Sequence, residues 1–175
     1  MDKRKIANKQ VKDKLFQALI EFANKKDWSK VSVTELIEKA GVARASFYRN
    51  FKSVEEIVDY GVQKMVEAYH QNKPENYEGA HSKELLLYKF TFYGEHAQLI
   101  LTFHHAKIAH SLLDVITDCE IEEAGDMSFK SIQRYELYYF SGAFYNMMLN
   151  WLENGVKETP QQMTEEFLRI MNKEK

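Results

Sequence analysis

Residues 32–52, SVTELIEKAGVARASFYRNFK, constrain the fold most because they encode two short helices separated by one glycine. Ser32 and Glu35 have the S-x-x-E spacing of a capping box, in which each side chain satisfies a free backbone N–H at the start of a helix. Gly41 ends this helix, since glycine adopts a positive φ without a steric cost. A second helix over about residues 44–51 follows after three turn residues. This spacing predicts a helix-turn-helix.

The second of these helices has an apolar face and a cationic face. Phe47 and Phe51 are four residues apart and are expected to pack on the first helix. The remaining side chains are basic, hydroxyl-bearing or small, which are the types that contact phosphates and base edges. We predict that this surface binds duplex DNA, and a solvated basic helix in an ordinary bundle is the alternative. The predicted DNA contacts, two of them at the start of the first helix, are Ser32, Thr34, Arg44, Ala45, Ser46, Tyr48, Arg49 and Lys52.

The charge of the chain is divided unevenly along its length. Residues 1–53 carry 13 Lys and Arg against 6 Asp and Glu, a net charge of +7, whereas residues 54–175 carry a net charge of −9. Phosphate contacts depend on clustered cations rather than on the overall charge. A basic segment alone would also suit RNA or a membrane surface, but the helix-turn-helix favours duplex DNA. Residues 3–5, Lys-Arg-Lys, are expected to form a disordered arm that either enters the adjacent minor groove or only aids solubility.

Two further helices are predicted around the helix-turn-helix. Apolar residues at helical spacing indicate a first helix over residues 9–25 that packs on it. Ser53 and Glu56 repeat the capping-box spacing and predict a long helix over about residues 53–70. We place a DNA-binding domain at residues 1–53 and a second domain at residues 54–175, and we expect the long helix to connect them.

The run from Ser32 to Ser53 resembles the amino-terminal domain of the TetR family of bacterial transcription regulators. The family signature is a hydroxyl-capped helix, an Ala-Gly-Val turn and a hydroxyl-aromatic-Tyr-x-x-Phe recognition helix that is followed by lysine. The Arg-x-Ser-Phe-Tyr form of the recognition helix is similar to a subgroup that includes regulators related to the dihydroxyacetone kinase activators. The signature appears here as Ser32, Ala40-Gly41-Val42, Ser46-Phe47-Tyr48, Phe51-Lys52 and Ser53.

The resemblance implies DNA contacts for five residues of the second helix and for Lys52 just past its end. Two positions depart from the family pattern. Ala43 replaces the usual Ser or Thr cap, a change that costs about 1 kcal/mol. Val54 stands where many members have a phosphate-binding lysine, so DNA affinity is weakened or Lys52 takes over that contact. The implied backbone contacts are Ser46, Tyr48 and Lys52, and the implied groove contacts are Arg44, Ala45 and Arg49.

The second domain is predicted to be helical throughout, which makes the chain an all-α protein of about nine helices. Helices are expected near residues 82–93, 95–105, 107–123, 128–153 and 159–172. The helix over residues 128–153 is apolar around most of its circumference and must be covered on more than one face. A second copy would cover it and would place two recognition helices about one DNA turn apart, on an inverted repeat. An intramolecular bundle is the alternative. The predicted dimer contacts are Tyr135, Tyr139, Gly142, Ala143, Asn146, Trp151, Phe167, Ile170 and Met171.

Aromatic and thioether side chains of the second domain suggest a pocket for a small hydrophobic or aromatic effector. Residues of this kind at helical spacing also form ordinary cores, which is the alternative. Neighbouring His104 and His105 point about 100° apart on a helix and cannot share a metal ion, so no metal site is predicted. The predicted pocket residues are Tyr88, Phe92, His96, Phe103, Phe140, Phe144 and Met147.

Other function classes find no support in the sequence. It has no glycine-rich phosphate loop and no nucleophile or zinc-protease motif, and its carboxylates are expected on helix surfaces, so neither an enzyme nor a cofactor is predicted. No apolar run approaches the roughly 20 residues that span a membrane, and the first residues lack an apolar signal segment. We therefore predict a cytoplasmic, homodimeric repressor that a small molecule releases from a palindromic operator. A ligand-less coactivator of the same fold that responds through a second protein is the alternative.

Overall fold

The computed structural model describes residues 3–25, 27–105, 109–124, 132 and 134–172. Every regular element in this part of the chain is helical, with nine α-helices and one short 3-10 helix, which confirms the predicted all-α class. The chain forms two compact units, residues 1–68, here termed the head, and residues 69–175, here termed the body. No helix among the described residues is long and apolar enough to cross a membrane.

The head contains three complete helices and most of a fourth. α4 begins in the head, and its last turn, from Tyr69 onward, belongs to the body. The division between the units thus falls within this helix, and the functional boundary after residue 53 stays a prediction. The elements are α1 (Lys3–Ala23), a 3-10 helix (Trp28–Lys30), α2 (Val33–Ala40), α3 (Arg44–Asn50) and α4 (Glu55–Asn72).

α1 begins earlier than the apolar periodicity indicated. The prediction of a disordered arm at residues 3–5 is wrong, because the helix starts at Lys3 and includes Arg4 and Lys5. Residues 3–10 contain Lys, Arg, Ala and Gln, which have high helix propensity, and no glycine or proline. Helix propensity therefore extends α1 beyond the segment that packs on the head core.

The turn between α2 and α3 has the predicted local structure. The Ser32 backbone N–H donates to Glu35 Oε2 at 2.9 Å, and the Glu35 N–H donates to Ser32 Oγ at 3.3 Å, which completes the capping box. Gly41 has a φ of 62°. In this left-handed conformation the Val42 N–H reaches the Ile37 carbonyl at 2.9 Å and closes the end of α2.

The capping of α4 differs in register from the prediction. The helix begins at Glu55, and Glu56 accepts a hydrogen bond from the backbone N–H of Lys52 at 2.8 Å, one residue before the predicted Ser53. A hydrogen bond from the Ser53 side chain lowers the pKa of the Glu55 carboxyl. Both first-turn carboxylates thus serve the helix start, where negative charge is favourable.

Apolar side chains from all four helices form the head core. Leu15 of α1, Leu36 of α2, Phe47 of α3 and Ile57 of α4 have no exposed surface. Each such burial contributes about 1.5–3 kcal/mol relative to an exposed side chain. This shared core fixes α3 against the rest of the head.

The body contains five further helices. α5 packs on α9, and α7 packs on α8. The predicted helix starts near residues 107 and 128 lie outside the described residues. Thr159 caps α9 with Pro160 in its first turn, as the sequence indicated. The elements are α5 (Lys83–Glu95), α6 (Ala97–His105), α7 (Ala109–Ala124), α8 (Arg134–Glu153) and α9 (Pro160–Met171).

The centre of the body is aromatic. Phe90 is fully buried, and its ring centroid lies 5.0 Å from that of Phe144, 5.7 Å from that of Trp151 and 6.3 Å from that of Phe167. Gly94 leaves room for the indole, since a Cβ atom there would lie 2.9 Å from a Trp151 ring carbon. These contacts join α5, α8 and α9 into one core.

Candidate nucleic-acid interface

The buried aromatic residues of α3 orient its outer face. Phe47 is fully buried, and its ring centroid lies 6.4 Å from that of Phe51, which is also buried. Successive helical residues are about 100° apart, so burial of Phe47 turns its neighbours toward solvent. Tyr48 is 54% exposed, and Arg44 and Arg49 are exposed as well. The side chains predicted to contact DNA thus lie on the surface of the head.

Arg44 is oriented by a side chain of the preceding helix. Its Nη2 atom donates a hydrogen bond to Thr34 Oγ1 at 2.7 Å. Thr34 lies in the first turn of α2, and the small, exposed Ala45 follows Arg44 in α3. The bond uses one of the five N–H donors of a guanidinium group. Most of the donor capacity of Arg44 is left for a ligand.

Arg49 and Lys52 are exposed cations that form no ion pair with any described side chain. Lys64, elsewhere in the head, differs from them because its Nζ atom lies 2.7 Å from Asp13 Oδ1. A phosphate can approach an unpaired cation without first displacing a carboxylate. The available positive charge of the head therefore includes the end of α3 and the residue just beyond Phe51.

The predicted hydroxyl contacts differ in how accessible they are. Ser32 Oγ donates to Glu35 Oε2 at 2.8 Å and also accepts the Glu35 N–H, so this hydroxyl already serves the helix cap. Ser46 is half-buried. Tyr48 exposes more than half of its surface.

The two departures from the family pattern have visible structural consequences. Ala43 makes no side-chain hydrogen bond at the start of α3, and its carbonyl accepts the N–H groups of Ser46 and Phe47. Val54 is 9% exposed and belongs to the head core. A residue packed in this way does not reach a phosphate, and Lys52 is the neighbouring exposed cation.

Three of the residues predicted to line an effector pocket follow one another along α5 and its C-cap residue, His96. The ring of Phe92 lies 6.0 Å from that of Tyr88 and 4.3 Å from that of His96. The Tyr88 hydroxyl donates to the carbonyl oxygen of Tyr69. These contacts make the three rings part of the packing around the end of α4.

The other four predicted pocket residues lie in different surroundings. Phe103 and Phe144 are 1% exposed and fill the core. Phe140 packs on the His81 ring at 4.2 Å and lines a surface groove of about 30 Å³, whereas Met147 lines a separate groove of about 280 Å³. Phe140 and Met147 thus line two grooves rather than one, and two of the remaining rings belong to the core.

The body contains a buried ionic cluster that the sequence analysis missed. Lys89 Nζ lies 2.5 Å from Glu120 Oε1 and 2.8 Å from Glu123 Oε2, and all three residues are at most 7% exposed. The expectation that the carboxylates lie on helix surfaces is wrong for this pair. Both face α5 because the lysine there supplies the charge that compensates for their loss of water.

Two more polar side chains join this cluster. The Tyr69 hydroxyl donates to Glu123 Oε1 at 2.8 Å, and His81 Nε2 lies 3.2 Å from Glu120 Oε2. Burial raises the pKa of Glu120, but contacts with His81 and Lys89 outweigh it and hold the pKa below its ordinary value of 4.5. The sequence signal was a lysine inside the apolar run LLLYKFTFY of α5.

One face of α8 is exposed in the body and includes most of the predicted dimer contacts. Tyr135 is 72% exposed, Tyr139 54% and, on α9, Ile170 45%. A Cβ atom built on Gly142 would meet nothing within 4 Å. Ala143 and Met171 are half-buried, and Asn146 is exposed.

Two predicted dimer contacts belong instead to the chain's own core. Trp151 is 2% exposed, and its Nε1 atom donates to the carbonyl of Glu158 at 3.0 Å. Phe167 is 4% exposed and packs on Phe90 and Phe144. Neither side chain has enough accessible surface to contact a second chain directly, so both predictions need correction.

The fold and the cationic α3 surface together define a helix-turn-helix protein of the DNA-binding class. Residues 15–60 match the sequence model described as bacterial regulatory proteins, tetR family. Residues 81–173, more than half of the chain, match the model described as transcriptional regulator C-terminal region, of the TetR type. The chain belongs to the TetR family of bacterial transcription regulators.

Two solved structures share its fold. A TetR transcriptional regulator from Streptococcus agalactiae 2603V superposes with a TM-score of 0.70 at 17% identity, over 95% of this chain and 96% of that one. The dihydroxyacetone kinase operon activator DhaS superposes with a TM-score of 0.60 at 13% identity, over 94% and 95%. No curated protein sequence matched the chain. At these identities the likeness shows the fold alone.

Proposed function

We propose that this regulator binds an inverted-repeat operator as a homodimer and acts as a repressor, with α3 in the major groove. The observation that carries the proposal is the outer face of α3, where Arg44, Tyr48 and Arg49 are exposed around the buried Phe47. Arginine donors match phosphate oxygens and guanine edges. Lys52 would add a phosphate contact beside the helix.

The homodimer is proposed from the exposed face of α8. Tyr135, Tyr139 and Asn146 lie on this face, with the unobstructed Gly142 near its centre. A glycine with no neighbouring side chain over it lets a second helix approach closely, and tyrosines supply large contact areas. Ile170 of α9 would extend the contact into a two-fold four-helix interface.

The test combines sequence selection with a mass measurement. Random duplexes enriched by the purified chain should converge on an inverted repeat, and sedimentation should give twice the chain mass. Gly142→Leu should yield a monomer with unchanged helix content by circular dichroism, because a Cβ atom at this position meets nothing within 4 Å in the chain and the larger side chain would block a second helix. Enrichment of no sequence, or a wild-type monomer on DNA, would contradict the proposal.

We also propose that a small hydrophobic or aromatic effector weakens operator binding through the body. Tyr88 and His96 are half-buried on either side of the buried Phe92, so an aromatic and a polar ring are partly accessible to an effector there. An effector that prefers the state with lower DNA affinity must reduce operator binding by the factor by which DNA reduces effector binding. Compounds that bind the pure chain should therefore release it from DNA.

A specific observation favours a second candidate, a coactivator that responds through another protein. Phe103 and Phe144 fill the core, and Lys89 is enclosed by Glu120 and Glu123. Such packing suits a body that holds no effector, and it agrees with the resemblance of α3 to the dihydroxyacetone kinase activator subgroup. Release by small compounds favours the first candidate, whereas a response that requires a second purified protein favours the other.

A further inference from the structure

We propose that Thr34 is a positioning residue that pre-orients Arg44 to read a single guanine in the operator. The inference rests on the proposed function, because it assumes that α3 enters the DNA. It begins from the hydrogen bond between Arg44 Nη2 and Thr34 Oγ1, which joins the first turn of α2 to the first turn of α3. Both residues are exposed, so the bond lies on the surface of the head.

The stereochemistry of the guanidinium group decides what the bond leaves available. Nη2 carries two protons, one directed to the edge shared with Nη1 and the other to the edge shared with Nε. Thr34 takes one of them, so whichever edge it uses, the other edge keeps two parallel donors. Two parallel donors match the O6 and N7 acceptors of guanine in the major groove. Arg44 can therefore hold Thr34 and read a guanine at the same time.

The residues around the bond favour a positioning role. In a helix, the β-branched side chain of threonine is limited to two main χ1 rotamers, so the Thr34 hydroxyl has few alternative positions. The capping box of Ser32 and Glu35 fixes the first turn of α2, in which Thr34 lies. Arg49, by contrast, has no ion pair with any described side chain and keeps its rotamer freedom. Arg44 is thus the arginine of α3 whose ordering cost is already met before DNA arrives.

A pre-oriented arginine should affect sequence discrimination more than general affinity. Ordering a long side chain on binding costs enough free energy to change a binding constant by about threefold to tenfold. Removal of the Thr34 hydroxyl should reduce the preference for guanine by this factor at one base pair. Phosphate contacts elsewhere on α3 would be unaffected, so preferences at the other positions should stay the same.

The experiment measures the dissociation constants of the full-length chain on its selected operator and on the three single-base replacements at each half-site position. Arg44→Ala identifies the position that Arg44 reads, since only there should the preference flatten. Thr34→Val, which has the same shape without the hydroxyl, should lower the guanine preference at that position about threefold to tenfold. Thr34→Ser should restore it. Ser46→Ala is the control because it removes a hydroxyl from α3 rather than from α2. It should weaken binding to all duplexes equally.

Three results would overturn the inference. Thr34→Val could keep the wild-type preference at the Arg44 position, or weaken every duplex equally, as loss of a simple phosphate contact would. Arg44→Ala could also flatten no position. In each case the wild-type chain still selects an operator, so the proposed function stands. A wild-type chain with no base preference would instead overturn both.

Discussion

Cations at the end of α3 in the head and Lys89 in the body lie in opposite environments. Arg49 and Lys52 of the head are exposed and form no ion pair with any described side chain, whereas Lys89 of the body is 3% exposed and touches two carboxylates. An exposed cation contributes little to folding but can bind a phosphate. A buried cation binds no external anion but is costly to leave unpaired. We therefore expect Arg49 and Lys52 to serve DNA binding and Lys89 to serve the stability of the body.

The largest expected effect is on the stability of the body. Lys89→Met removes the cation from between Glu120 and Glu123 and leaves two buried carboxylates without it. The free energy of unfolding should fall by about 3–5 kcal/mol. Denaturant titration followed by circular dichroism measures it, and Lys157→Met, at an exposed lysine of the body, is the matched control with an expected change of about 0.5 kcal/mol or less.

A second variant separates the buried charge from the packing of the lysine stem. Lys89→Met combined with Glu120→Gln and Glu123→Gln removes all three charges and should recover much of the lost stability. Equal destabilisation by Lys89→Met and Lys157→Met would show that the charge of Lys89 matters no more for stability than that of an exposed lysine. The contrast between head and body would then be lost.

A smaller effect is expected at the end of α4. Tyr69→Phe deletes the hydroxyl that donates to Glu123 at 2.8 Å. The buried carboxylate then lacks one donor, which should cost about 1–3 kcal/mol of unfolding free energy. The matched control is Tyr135→Phe, whose side chain is 72% exposed and should tolerate the change. Equal melting temperatures for the two variants would exclude a stabilising role for the Tyr69 bond.

The buried cluster should also make the free energy of unfolding depend on pH. The exposed cations of the head should not have this effect. The pKa of Glu120 is lowered in the folded chain. Its contribution to the free energy of unfolding is therefore complete above pH 4.5 and is lost as the pH falls through the pKa of the folded state. The pKa of Lys89 is raised above 10.5 because Glu120 and Glu123 outweigh its burial, so its contribution is lost only at higher pH.

The measurement is the melting temperature of wild type and Glu120→Gln across pH 3 to 7. Wild type should lose stability toward the acid end, and Glu120→Gln should lose less because it has no proton to gain at this position. Parallel curves would mean that Glu120 titrates as it does in the unfolded chain. We expect this to be the smallest of the three stability effects, and Glu120→Gln is the necessary reference because other carboxyl groups also titrate in this range.

The sequence predicted the helix-turn-helix well because its determinants are local. The capping box of Ser32 and Glu35 spans three residues, and Gly41 acts through its own φ angle. The start of α1 was missed because the prediction followed apolar spacing, whereas residues 3–8 are rich in residues of high helix propensity. Local signals therefore sufficed for the elements that present the candidate site.

The buried cluster could not be predicted in the same way. Lys89 and Glu120 are 31 residues apart in sequence, and a charged residue on a helix is ordinarily exposed. The same limitation affected Trp151 and Phe167, which were assigned to a dimer contact although they pack inside the body. Apolar character predicts burial but does not distinguish the chain's own core from a surface that a second copy covers.

The salt dependence of operator binding for wild type, Lys52→Ala and Lys157→Ala tests most directly whether the exposed cations of the head bind DNA. Each phosphate contact contributes about 0.9 to the slope of log K against log salt concentration. With one Lys52 in each subunit of a dimer, Lys52→Ala should reduce the slope by about two, while Lys157→Ala in the body should leave it unchanged. Equal slopes for all three proteins would contradict the assignment of DNA binding to the exposed cations of the head.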